Sequence, residues 1–117
     1  MTDISYEVEG ELKRNKNFFS SRKDFYKLNK HIMLIKKINK SAEISYKPKF
    51  DLTLYNVRLS ARSQEKFYLE PNETASHLSL NKIEFKAKNP EDRARWYLAI
   101  TNAQKVTQLQ NMSFISS

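Results

Sequence analysis

The stretch Pro90-Glu91-Asp92-Arg93-Ala94-Arg95-Trp96-Tyr97-Leu98-Ala99-Ile100 decides how this chain folds. Asn89 precedes it with a side chain suited to capping a helix, and Pro90 fits the first helical position. Glu91 and Asp92 suit the positive end of the helix dipole. Trp96, Ala99, Ile100 and Ala103 then recur at spacings of three and four, on one stripe. With Val106 extending the stripe, the spacing predicts an amphipathic helix from about 90 to 109 and a frayed tail over 110–117.

Upstream of the helix the period is two. Tyr6-Glu7-Val8-Glu9-Gly10-Glu11-Leu12-Lys13 alternates, with Tyr6, Val8, Gly10 and Leu12 on one face of a half-buried strand. Gly10 is the only glycine, and a glycine inside a strand marks a bend or a close backbone approach. Asn15 to Ser21 forms a polar loop around Phe18-Phe19. Arg22 to Asn29 is the second strand, with Tyr26 and Leu28 inside, and Ile32 to Lys37 the third. Phe50, Leu52 and Leu54 alternate in a fourth strand, and Val57 and Leu59 in a fifth. Lys66 to Glu70 and Ile83 to Ala87 complete the set, separated by a long polar loop from Pro71 to Ser79. Seven strands at this spacing predict a sandwich or barrel whose open end the helix plugs. Burying the plug's tryptophan contributes on the order of 3 kcal/mol. A chain of 117 residues holds one such domain, with its core over about 6–109.

The charge is lopsided. Net charge is +8, yet twelve of the twenty-one Lys and Arg fall between residues 13 and 49, against only Asp24 and Glu43. A positive field of that kind attracts phosphate-rich partners. The same lysines also suit a solvated surface, and Lys47 and Lys49 suit protection of a strand edge. Other chemistries find little support. The chain has no cysteine, and His31 and His77 stand far apart without companion ligands, so neither disulfides nor a zinc site is expected. No Gly-rich phosphate cradle or paired acid–base motif is present, so no enzyme activity and no cofactor are expected. The longest apolar run, His31-Ile32-Met33-Leu34-Ile35, is too short to cross a bilayer. Met1-Thr2-Asp3-Ile4 lacks a signal pattern and the glycine needed for myristoylation, so a cytoplasmic location is expected.

Several of these stretches together resemble a pleckstrin homology (PH) domain. They are Glu9-Gly10-Glu11-Leu12-Lys13-Arg14, the aromatic second strand Phe25-Tyr26-Lys27-Leu28, Phe85-Lys86-Ala87, and above all Trp96 followed by Ala99-Ile100. The resemblance covers roughly 6–105 and implies a mainly β fold, a seven-stranded, strongly bent antiparallel sheet or barrel capped by one helix. It also implies a basic opening between the first loops that receives phosphoinositides. Phe25 to Lys37 is similar to PH domains that follow the catalytic unit of Rho-type guanine nucleotide exchange factors, and any exchange activity is expected to lie outside these residues.

Carried over residue by residue, the family pattern places basic residues at Arg14 and Arg22. Arginine offers planar bidentate contacts to phosphate and lysine a mobile point charge. Lys16, Lys36 and Lys37 are expected to add to the opening, as is Lys23, although strand alternation turns it to the face opposite Arg22, and Phe18 and Phe19 to insert into the membrane interface or pack over the barrel mouth. The sequence departs from the pattern at Asp24, where lipid binders carry a base. A carboxylate beside a phosphate repels it, which predicts charge-driven attachment over stereospecific capture. The expected partners are therefore anionic phospholipids at the plasma membrane or another anionic surface. The alternative is a protein-interaction module that binds a peptide or a small GTPase, which Asp24 and the acidic Glu7, Glu9 and Glu11 would suit. Nucleic-acid binding fits the charge but lacks a recognition helix or a repeated aromatic platform.

Overall fold

A computed structural model describes residues 7–17 and 20–116, with side chains over 7–15 and 20–109. Seven strands are present: β1 (Glu9–Asn17), β2 (Ser20–Asn29), β3 (Ile32–Ile38), β4 (Ile44–Asp51), β5 (Tyr55–Leu59), β6 (Lys66–Pro71) and β7 (Ile83–Lys86). One helix, α1 (Pro90–Ser116), follows them. The strands form a single antiparallel sheet in the order β4-β3-β2-β1-β7-β6-β5. It does not close into a barrel, because β4 and β5 remain its two edges.

The two edges are nonetheless consecutive in sequence. Only the 3-10 turn Leu52–Leu54 separates them, and so short a link spans at most about 14 Å. A flat seven-stranded sheet would hold its edges roughly 29 Å apart. The sheet therefore bends until its edges approach at that corner, and its concave face becomes the core. Leu12, Tyr26, Leu28, Met33, Phe50, Phe67, Leu69 and Phe85 are all buried there. Phe85 stacks on Phe67 and meets Tyr26 and Phe50 edge-on.

α1 covers this face where β5, β6 and the 3-10 turn lie. Trp96, Ala99, Ile100 and Ala103 are buried along it, the stripe predicted from spacing. Asn89 caps it, its Oδ1 accepting from the Asp92 amide at 2.7 Å. Side chains of the helix then tie it to the sheet. Arg93 donates to the carbonyls of Ser63 and Lys66, and Gln104 to those of Leu52 and Tyr55. Arg95 Nη2 reaches the carbonyl of Glu9 at 3.0 Å while paired with the buried Asp92. Gly10 makes room for that reach. A Cβ on it would stand 3.2 Å from Arg95 Nη2, and its φ of +155° is one that side-chain-bearing residues rarely adopt.

Four local expectations give way. The loop expected from Asn15 to Ser21 is strand over 15–17 and 20–21, where the β1–β2 ladder runs on through the pairs Asn15–Ser21 and Asn17–Ser20. The fourth strand lies at Ile44–Asp51, while Leu52 and Leu54 belong to the 3-10 turn, nucleated where Asp51 Oδ1 accepts from the Thr53 amide. The loop after Pro71 contains a second 3-10 segment, Glu73–Leu78, capped by the side chain of Asn72. The helix continues through 110–116, for which a tail was expected, since no Gly or Pro interrupts it. Tyr6, expected in the first strand, lies outside the described residues.

Trp96→Ala is expected to cost about 3–5 kcal/mol by urea denaturation. Gly10→Ala should cost about 1–3 kcal/mol in the same assay. A Gly10→Ala protein as stable as the parent would show that Arg95 does not need the close approach.

Candidate anion-binding site

β1 and β2 form a long hairpin whose register sets the site. Arg14 stands directly opposite Arg22, and Leu12 opposite Asp24. Leu12 and Tyr26 are buried, so the alternation of the strands carries Arg14, Arg22 and Asp24 on the concave face as well. The Arg14 guanidinium lies 5.1 Å from the centre of the Phe50 ring, which confirms its side. Arg22 Nε donates to Asp24 Oδ1 at 3.1 Å. Two of the expected basic residues thus come together, and one of them is held by the carboxylate that broke the family pattern.

The others divide between the two faces. Lys37 pairs in register with Ser45, and Lys47 with the buried Ile35, which sets both lysines on the concave side. Lys47, assigned from sequence to edge protection, does lie on the edge strand β4 and also faces this side. Lys36 turns to the convex face, its Nζ 5.0 Å from the Phe25 ring centre. Lys23 is convex too, opposite Lys13, which is in turn opposite Lys86. Lys13, Lys23, Lys86 and Lys88 line a hollow of ≈ 300 Å³ together with Glu11 and Glu65. The side chain of Lys16 and the residues Phe18 and Phe19 lie outside the described ones.

Beneath Arg14 and Arg22 lies a group that the sequence reading treated only as core. Tyr26 is wholly buried, and its hydroxyl and Trp96 Nε1 are the buried side-chain polar atoms among the described residues with no hydrogen-bond partner. Burial pushes the Tyr26 phenol up to about 12, Asp24 adds to the rise, and Arg14 and Arg22 oppose it. Burial likewise raises Tyr55, which Arg14 opposes. Both phenols therefore stay protonated at neutral pH and remain hydrogen-bond donors. No sequence period announces this role, because a tyrosine at an inward strand position looks like any core aromatic. Among the described residues no group of three or more His, Asp or Glu side chains is placed to hold a metal.

No protein-family profile and no curated protein matches this sequence. Solved structures do match its fold. The N-terminal PH domain of human ARAP2 superposes with a TM-score of 0.66 at 17% identity, covering 93% of this chain and 88% of that one. The DH/PH fragment of PDZRHOGEF, solved in complex with human RhoA, superposes at 0.69 with 14% identity over 84% of this chain. The linker-DH/PH region of p115-RhoGEF does so at 0.67 with 20% identity over 86%. This chain spans 28% and 29% of those two longer chains. Its fold is that of a PH domain.

Because folding holds the Tyr26 phenol protonated to about 12, while an unfolded chain releases the proton near 10, stability falls as pH rises through that window. Tyr26→Phe should flatten this decline in urea denaturation midpoints followed between about pH 9 and about pH 11. An unchanged decline would place the lost stability elsewhere.

Proposed function

We propose that this chain is a non-catalytic module that attaches to anionic phospholipid headgroups, phosphoinositides among them, at the concave-side end of β1–β4. The observation that supports this most is Arg14 directly opposite Arg22. Like charges facing each other on neighbouring strands destabilise a sheet. A phosphate between them would turn repulsion into two charge-assisted hydrogen bonds. Lys37 and Lys47 face the same side, and each basic residue near an anionic leaflet contributes about 1 kcal/mol. Four such residues suffice for transient attachment.

Asp24 limits the affinity. It occupies one edge of the Arg22 guanidinium and repels an incoming phosphate. Attachment is therefore weak, salt-sensitive and tolerant of headgroup stereochemistry. Its place of action is an anionic membrane facing the cytoplasm.

A second reading has one observation of its own. Several chains of similar fold are DH/PH fragments solved with RhoA, and a small GTPase would be the corresponding partner here. Any exchange activity would lie outside this chain.

Sedimentation with phosphatidylcholine–phosphatidylserine vesicles, with and without phosphoinositide, tests the proposal. The chain should bind both, more weakly as salt rises. Arg14→Ala with Arg22→Ala should weaken binding about tenfold or more, and Asp24→Asn should strengthen it. Absence of binding at low salt, together with a complex between the chain and a purified Rho-type GTPase, would replace the lipid proposal with the second one.

A further inference from the structure

The β1–β2 ladder ends, before its connection, on the pair Asn17–Ser20. Ser20 is exposed there, and the alternation of β2 sets it on the same face as Arg22, Asp24 and the buried Tyr26. It therefore stands about 7 Å along the strand from Arg22, with Arg14 diagonally across. Asp24 shows what that separation permits. It lies two residues from Arg22 in the other direction, and its carboxylate accepts from Arg22 Nε at 3.1 Å. An anion carried by Ser20 would reach the same guanidinium from the other side, and a guanidinium presents several N–H donors in a fixed fork.

Two features open this hydroxyl to a kinase. A protein kinase takes its substrate as an extended segment, and the end of a strand ladder opens at little cost. The register shift between Asn15 and Asn17 interrupts the ladder beside it. The charge that follows is also of one sign: Arg22 and Lys23 stand two and three residues after Ser20. A kinase whose substrate groove is acidic selects such cations.

We infer that Ser20 is a phosphorylation site for a kinase of that kind, and that the phosphate it gains occupies the Arg14–Arg22 pair and closes the headgroup site. This rests on the lipid function proposed above. In the modifying step Ser20 Oγ attacks the γ-phosphorus of ATP and the bond to the β,γ-bridging oxygen breaks. ADP leaves, and the hydroxyl proton passes to a carboxylate of the kinase. The product carries about −1.5 to −2 charges at neutral pH, enough to offset two guanidiniums. Being tethered, it competes with a headgroup at high effective concentration. A headgroup seated on the pair would in turn stand between Ser20 and a kinase, so the two events exclude each other.

The test places phosphoserine genetically in the full-length chain at Ser20 or, as the control, at Ser21, where the same charge falls on the convex face opposite Asn15. Binding to phosphatidylcholine–phosphatidylserine vesicles carrying a phosphoinositide should fall about tenfold or more with the first and less with the second. In the lipid-free ¹⁵N-labelled chain, the Nε–Hε signals of Arg14 and Arg22 should shift with the first alone. Its ³¹P signal should titrate below the ordinary second pKa of about 6. The unmodified chain, incubated with ATP and the catalytic domain of protein kinase C, should gain phosphate at Ser20. Vesicle binding that survives phosphoserine at Ser20 overturns the switch and leaves the headgroup site standing. Equal losses from the two positions with unmoved arginine signals reduce the effect to bulk charge, and so overturn the seat on the pair. No phosphate gained at Ser20 overturns the modification. An unmodified chain that binds no vesicle overturns the lipid reading and the switch alike.

Discussion

Trp96 fills the space between α1 and the concave face of the sheet, and the polar ties beside it fix where the sheet bends. Arg93, Arg95 and Gln104 bind carbonyls of the β5–β6 region, of β1, and of the 3-10 turn with β5. The short link between β4 and β5 then forces the two edges of the sheet together at one corner. Burial at the helix-covered end and openness at the other are two sides of one constraint, since a single helix cannot cover the whole concave face. Arg14, Arg22 and Asp24 occupy the stretch where that cover runs out.

That transition explains the chemistry of the region. An inward strand position normally takes an apolar side chain, and Leu12 and Tyr26 obey this. One pleat further toward the hairpin end, the same face carries Arg14, Asp24 and Arg22. Their charges remain partly solvated but lie close enough to affect the Tyr26 phenol. Proposing a headgroup there gives the opposed guanidiniums a common purpose.

Most of the architecture was legible in residue spacing, because the core-facing strands alternate and the helix keeps a clear stripe. β4 was not. Seven of its eight residues from Ile44 are only partly buried or exposed, as an edge strand extending past the core must be, so it has no alternation to read. Its apparent continuation through Leu52 and Leu54 arose because a 3-10 turn also buries one leucine and half-buries the next. The Asp51–Thr53 pairing was the available signal. At the site, the resemblance to the PH pattern singled out Arg14 and Arg22 together, and strand period alone turned Lys23 away from Arg22. The sequence did not separate Lys36 from Lys37 by face, and it treated Tyr26 as packing alone. A buried phenol shows its lack of a partner only in three dimensions.

The most direct measurement is a titration of the ¹⁵N-labelled chain with a soluble inositol polyphosphate, following the side-chain Nε–Hε signals of its arginines. If opposed cations on the concave side take the phosphate, the signals of Arg14 and Arg22 shift together and saturably, while those of Arg58 and Arg93 stay in place. Perturbation confined to amides around Lys13, Lys23 and Lys86 on the convex face, with Arg14 and Arg22 unmoved, would contradict the account.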